Sequence, residues 1–114
     1  MNECEKWHEC SQVDQPRNKF IIPQIVESIK DGKPRLITYL GSATGYIPNS
    51  VQKQVSNKII HRLVEFNHER LEFSKSICIA DNFEFYHADI TSKSIKVPPS
   101  DLVIASNVLS LIHI

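Results

Sequence analysis

Small and acidic residues in the middle of the chain have the types and spacing needed to hold a nucleoside. Gly41-Ser42-Ala43-Thr44-Gly45 is a turn of small residues, which lets the backbone bend sharply and a ligand approach it closely. Glu65 lies 20 residues after Gly45, the spacing expected of an acid that accepts hydrogen bonds from two vicinal ribose hydroxyls. Asp89 can accept a hydrogen bond from an adenine amino group. These residues therefore predict an adenosine-binding site.

Short apolar runs must position these residues, because each of them directly follows such a run. β-Branched and aromatic side chains predict strands over residues 36–40, 59–66, 83–88 and 102–105. Apolar spacing predicts helices over residues 18–30, 48–57 and 67–76, although residues 58–63 also fit an extension of the second helix. This alternation indicates an α/β fold with a mainly parallel sheet and helices on both faces. Ligands of such sheets bind beyond the carboxyl ends of the strands.

Cap and turn residues set the predicted ends of the helices. Pro23 is expected near the start of the first helix, where a missing N–H costs little, and Gly32 is expected to end it. Pro48 is expected to open the second helix and Asn67 to cap the third. The predicted apolar stripe of the first helix consists of Phe20, Ile21, Ile25, Val26 and Ile29.

Composition restricts the class of protein. The 114 residues include 13 Lys and Arg and 13 Asp and Glu, and a neutral balance disfavours nucleic acid as the main partner. No apolar run reaches the length of a membrane span, and residues 1–10 do not resemble a signal peptide, so a cytoplasmic protein without membrane contact is expected. Cys4, Cys10 and Cys78 are expected to be reduced thiols.

Four segments, in order, resemble the motifs of class I S-adenosylmethionine-dependent methyltransferases. Residues 36–46 (LITYLGSATGY) look like the first motif, a hydrophobic strand followed by a glycine-rich turn. Residues 63–65 and 69–71 look like the second strand and the next helix of that family, and residues 83–89 (FEFYHAD) look like the third strand with its adenine-side acid. Residues 101–111 (DLVIASNVLSL) look like the fourth strand and the helix after it.

The resemblance implies a three-layer Rossmann-like domain with strand order 3-2-1-4 and with S-adenosyl-L-methionine as cofactor. The polar residues 1–17 are expected to form a loose arm or a short helix over the domain, and residues 18–114 would be a partial methyltransferase domain. Glu65 would hold the ribose and Asp89 the adenine edge. Gly41 and Gly45 would line the methionine and ribose portion of the cofactor, and Ser106 or Asn107 its methionine part or the acceptor. Ser42, Ala43 and Ile90 are further expected cofactor-binding residues. No catalytic residue and no metal ligand is assigned.

The chain departs from the family pattern in two residues and in length. Tyr39 stands where the family has an acid and Ala43 where it has the central glycine, and both changes are expected to weaken cofactor binding. The Asn107 segment also lacks the Asn-Pro-Pro-aromatic pattern of amino-group methyltransferases. The family sheet has seven strands and the fourth is the last found here, so we expect a truncated frame, a fragment or a degenerate copy. Its open sheet edge would favour self-association.

Other readings of the same residues stay open. In the simplest alternative, the turn at residues 41–45 serves only to connect strand and helix, and Glu65 and Asp89 are solvated acids. A non-catalytic remnant acting as an interaction module is the alternative function, whereas a nicotinamide-dinucleotide fold is disfavoured because the turn is Gly-x-Ala-x-Gly. The methyl acceptor, a small molecule or another group, is not identified. Trp7 is expected to pack on the body of the domain, and Cys78 to be a buried small residue.

Overall fold

A computed structural model describes residues 2–89 and 99–105 of the chain. Within these ranges the helices are α1 Glu3–His8, a π-helix Glu9–Val13, α2 Pro16–Gly32, α3 Tyr46–Gln52 and α4 His68–Ile77. The strands are β1 Leu36–Leu40, β2 Ile60–Glu65, β3 Phe83–His87 and β4 Leu102–Ile104. None of the helices in this described part has the length and hydrophobicity needed to cross a bilayer.

The four strands form one parallel sheet in the order β3-β2-β1-β4, which confirms the predicted fold class and strand order. The chain leaves β1 for β2 and β3 on one side and later returns to place β4 on the other side. The carboxyl end of β1 is therefore a topological switch point, where crossovers diverge and leave a crevice for a ligand. The 41–45 turn begins at this point.

One face of the sheet holds the main core. Because side chains alternate along a strand, the strand residues Ile37, Tyr39, Leu63 and Phe83 point to the same face, where they pack against α2 and α3. The helices contribute Ile22, Ile25, Val26, Ile29, Ile47 and Val51. Burial of each such aliphatic side chain contributes about 1.5–3 kcal/mol to the stability of the domain. The helix that the family resemblance implies after β4 lies outside the described ranges.

Helix α2 differs from its sequence prediction at both ends. It begins at Pro16, so Pro23 lies inside it; the exposed position of Pro23 lets solvent satisfy the carbonyl that its missing N–H leaves free. Phe20 belongs to the predicted apolar stripe, but it is 69% exposed. Gly32 is still helical, and the left-handed end residue is Lys33, whose N–H donates to the carbonyl of Ile29.

Helices α3 and α4 agree with prediction to different degrees. Helix α3 begins at Tyr46 rather than Pro48, which becomes the third helical residue, where an N–H has no partner inside the helix. It ends at Gln52 rather than at residue 57, because a turn follows Gln52. Residues 60–65 form β2, so the alternative prediction that residues 58–63 extend this helix is wrong. The cap of α4 is confirmed: the Asn67 side chain accepts the N–H of Arg70 at 3.0 Å.

The N-terminal segment is helical and packs on the domain. Asn2 and Glu5 cap α1 reciprocally, because each side chain accepts the backbone N–H of the other. Trp7 packs as predicted: the Arg70 guanidinium lies 3.8 Å from the centre of its ring. A cation–π contact of this kind contributes about 0.5–1 kcal/mol and joins α1 to the first turns of α4.

A network of buried polar side chains lies on the face of the sheet that holds the main core. The Tyr39 hydroxyl donates to Nδ1 of His61 at 2.8 Å, and Nε2 of His61 donates to Oε1 of Gln52 at 2.6 Å. Asn82 donates to the same Gln52 oxygen at 2.6 Å. A neutral imidazole satisfies both contacts of His61, and burial lowers its pKa to about 4. Burial also raises the pKa of Tyr39, so the hydroxyl stays protonated.

We expect the stability of the domain to fall as the pH drops from about 6.5 to about 4. Unfolded His61 takes up a proton near its ordinary pKa, whereas the folded residue does so only near pH 4. The unfolded state binds more protons across this window, which lowers the stability by about 3 kcal/mol in total. Urea denaturation at several pH values should give a shallower slope of stability against pH for His61→Gln. The matched variant His68→Gln, at a solvent-exposed site, should keep the wild-type slope; equal slopes for all three proteins would contradict the assignment.

Candidate nucleoside-binding site

The turn after β1 has a backbone that alternates in and out of the left-handed region. Gly41, Ala43 and Gly45 have φ values of 71°, 55° and 84°. The N–H groups of Gly41 and Ser42 both donate to the carbonyl of Val64, at 2.9 and 3.1 Å, which fixes the turn against the end of β2. Gly45 then caps α3. The small residues of this segment are needed because larger ones would disfavour such a path.

The Glu65 carboxylate ties three elements together at the carboxyl ends of the strands. One oxygen accepts the N–H of Ala43 at 2.8 Å and the other accepts the N–H of Asn67 at 2.9 Å. The residue is only 3% exposed, so the carboxylate replaces water for both donors. Each ionised carboxylate oxygen has two acceptor positions, so these bonds leave capacity for further donors.

Asp89 lies at the same rim of the sheet. The N–H of Ala88 donates to the carbonyl of Glu65 at 3.1 Å. Asp89 is the next residue along the chain and is exposed to solvent. The structure therefore brings the 41–45 turn, Glu65 and Asp89 to one edge, as an adenosine site requires. The roles assigned to them stay predictions. Ile90, Ser106 and Asn107, the other predicted cofactor residues, lie outside the described residues.

Gly45 has a structural task that the sequence did not indicate. A Cβ atom at this position would lie 2.9 Å from Sγ of Cys78 and 2.9 Å from Cβ of Ser74. The missing side chain thus lets the turn pack directly against α4. Cys78 is itself buried, as predicted, and burial raises its pKa to about 12. Gly45 is therefore needed for the close packing of the turn against α4.

Ala43 and Ser42 are each held at a cost. Ala43 is a non-glycine residue in the left-handed region, which costs roughly 1–2 kcal/mol. The Ser42 hydroxyl is buried and, within the part of the chain that the structure describes, has no hydrogen-bond partner. A buried hydroxyl in this state costs about 1–3 kcal/mol until a ligand or a water molecule satisfies it. Its position in the predicted cofactor turn is consistent with a ligand contact.

The N-terminal segment reaches the same turn. Nδ1 of His8 contacts the hydroxyl of Thr44, and the His8 ring packs against those of Tyr46 and Phe73. Burial lowers the pKa of His8, which favours a neutral ring at this contact.

Cys4, His8 and Cys10 do not form a metal-binding cluster. Among residues 2–89 and 99–105, no three His, Cys, Asp or Glu side chains lie close enough together to hold a metal ion. Sequence reasoning missed the His8 contact, and the isolated Trp7 was the only signal for it.

Comparison with known proteins identifies the fold. The chain is similar to an S-adenosylhomocysteine-bound methyltransferase from Podospora anserina, with a TM-score of 0.63 and 14% identity over 92% of this chain and 50% of that one. It is also similar to a SAM-dependent methyltransferase from Thiobacillus denitrificans in complex with S-adenosylhomocysteine (TM-score 0.63, 14% identity, 90% of this chain and 40% of that one). A protein-L-isoaspartate O-methyltransferase matches with a TM-score of 0.60 and 19% identity over 75% of this chain and 28% of that one.

These comparisons show that the chain has the Rossmann-like fold of class I S-adenosylmethionine-dependent methyltransferases. The family resemblance drawn from the sequence is thus confirmed at the level of the fold. The chain spans half or less of the length of the three structures. No family sequence model matches it, and no curated protein does.

Gly45→Ala should destabilise the domain by roughly 2–4 kcal/mol, because the new methyl group would overlap α4 and the backbone is left-handed there. Gly32→Ala is the matched control: nothing lies within 4 Å of its Cβ position and it is helical, so a change within about 1 kcal/mol is expected. Chemical denaturation followed by far-UV circular dichroism measures both. Equal stabilities of the two variants would disprove the packing role of Gly45.

Glu65→Gln should cost roughly 1–3 kcal/mol of stability, because one oxygen is replaced by an amide donor that faces a backbone N–H. Glu27→Gln, at an exposed position of α2, is the control and should leave stability unchanged. The same denaturation experiment applies. A Glu65→Gln protein as stable as the control would show that the carboxylate does not hold the turn.

Proposed function

We propose that this chain forms the cofactor-binding part of an S-adenosylmethionine-dependent methyltransferase. One observation carries the proposal: the glycine-bearing turn at the switch point is bound to the Glu65 carboxylate, with Asp89 beside it. This places a closely approachable backbone and two acids along one edge of a methyltransferase-type sheet. The whole protein's activity and its methyl acceptor belong to the same proposal, since the chain spans only part of the similar structures.

The described residues fit an adenosine-containing cofactor. Glu65 has acceptor positions left for the two ribose hydroxyls, and Asp89 is exposed at the rim where an adenine amino group would donate. The unsatisfied Ser42 hydroxyl adds a polar group in the turn. Two features reduce the fit. The Ala43 methyl group occupies space that a glycine would leave open, and Tyr39 directs its hydroxyl to His61 in the core.

The proposed chemistry asks little of the protein beyond binding and orientation. The cofactor would supply an electrophilic methyl group on a sulfonium that is already a good leaving group. The turn and Glu65 would orient the ribose, and Asp89 would hold the adenine, so these residues would position the cofactor for methyl transfer. A general base is needed only for an acceptor that must lose a proton, and no residue is assigned to that task.

A second function, an interaction module without catalysis, is favoured by one observation. Val103 of β4 is 54% exposed, and among the described strands only β1 pairs with β4. An apolar strand with an unpaired edge is a template for pairing with another chain. In this case the chain would self-associate or bind a partner through β4. The 41–45 turn would then no longer bind a cofactor.

We expect S-adenosylhomocysteine to stabilise the chain against heat, because a ligand that binds only the folded state adds about 2.7 kcal/mol at 100 times its dissociation constant. Asp89→Ala should weaken binding roughly tenfold through loss of a charged acceptor. Asp31→Ala, an exposed acid at the far end of α2, should not change it. Differential scanning fluorimetry and titration calorimetry measure these effects.

The negative outcome of this experiment is equally defined. No shift in melting temperature at millimolar S-adenosylhomocysteine would contradict cofactor binding by this chain. A dimeric mass in light scattering together with that result would support the interaction module instead.

A further inference from the structure

A second concave site lies at the opposite end of the strands from the 41–45 turn. It is a groove of about 480 Å³ between the end of α2, the turn that follows α3 and the segments that lead into β1 and β2. Pro34 and Arg35 precede β1, and Ile59 precedes β2, so the groove is at the amino ends of the strands. The volume is within the range of small-molecule sites. Nothing in the proposed cofactor chemistry uses this groove.

The interior of the groove is apolar. Ile29 of α2 and Ile59 belong to the main core and expose only 3% and 8% of their surface, so the accessible apolar surface is mainly that of the half-buried Val55, which packs against that core from the turn after α3. These side chains are held in place by the core behind them, so the apolar surface is preformed. A hydrocarbon group that covers it would be removed from water at a gain proportional to the area buried.

The edge of the groove carries four cations and no acid: Lys30, Lys33, Arg35 and Lys58. All four are exposed, and within residues 2–89 and 99–105 none of them forms an ion pair. The chain as a whole is electrically balanced, with 13 cations and 13 acids, so this concentration of one sign is local. It creates a positive potential over an apolar surface.

The backbone that carries these cations is fixed. The N–H of Lys33 closes the end of α2 by donating to the carbonyl of Ile29 at 2.8 Å. The Asp101 carboxylate accepts the backbone N–H groups of Arg35 and Leu36 at 2.8 and 3.2 Å. Asp101 does not line the groove, and in the described part of the chain it forms no ion pair with the Arg35 guanidinium, so the four cations outnumber this one nearby acid.

We propose that the groove binds a small amphipathic anion, a molecule with a hydrocarbon body and a carboxylate or sulfonate head. The body lies on Val55 and on the small exposed edges of Ile29 and Ile59, and the head is neutralised by the surrounding lysines and Arg35. The combination decides the ligand class: a nucleic-acid backbone has no hydrophobic part to cover the apolar interior, and a neutral lipid leaves four cations unused. The site is independent of the proposed cofactor function, because the two lie at opposite ends of the strands.

Decanoate below its micelle concentration is the test ligand, with decanol as the neutral analogue of the same chain length. We expect decanoate to bind to the wild-type chain in titration calorimetry and decanol to bind several-fold more weakly. Amide chemical-shift changes in NMR spectra should fall on the backbone around residues 29–35 and 54–59. The triple variant K30Q/K33Q/K58Q should weaken decanoate binding roughly tenfold.

The control variant K6Q/R17Q/K19Q removes three exposed cations elsewhere and changes the net charge by the same amount. It should bind decanoate as the wild type does. Equal weakening in both triple variants would overturn the proposal in favour of unspecific charge attraction, as would equal affinity for decanol and decanoate. A different apolar groove lies between α2 and β4. Amide chemical-shift changes confined to that groove would also overturn the proposal. Thermal shifts with S-adenosylhomocysteine on the same proteins report the cofactor site separately.

Discussion

The contact between the Glu65 carboxylate and the backbone N–H groups of Ala43 and Asn67 is the interaction on which the site depends. The three residues belong to the turn after β1, the end of β2 and the cap of α4, so one buried side chain sets the distances among three elements. A carboxylate can do this because it accepts several hydrogen bonds at once, and its burial makes each of them hard to replace by water. The rim of the sheet is thereby formed before any ligand binds.

The sheet was predictable because its signals are local and strong. Runs such as residues 36–40 and 102–105 are β-rich and bounded by turns, and their alternation with helices leaves few arrangements. Helix ends were less accurate. Phe20 fits the helical spacing of its neighbours, yet it is exposed, because only the packing of α2 on the sheet decides which apolar residues are covered. Gly32 is the expected helix terminator, but Lys33 takes the left-handed position.

The residues of the site were predictable, but several of their contacts were not. An acid 20 residues after a glycine turn indicates a ribose ligand, but no sequence pattern shows that Glu65 also binds backbone N–H groups. Nothing local in the sequence shows that Gly45 packs on α4, because Cys78 and Ser74 are about 30 residues away along the chain. Long-range contacts of this kind depend on the assembled fold.

The N-terminal segment has a practical meaning for solution studies. Trp7 is the only tryptophan of the chain, and it lies in α1, outside the main core, in contact with Arg70 of α4. Intrinsic fluorescence of this protein therefore monitors the docking of α1, and quenching agents that reach Trp7 report the opening of that contact. A change in emission is a local signal, and global unfolding has to be followed by a backbone-sensitive technique.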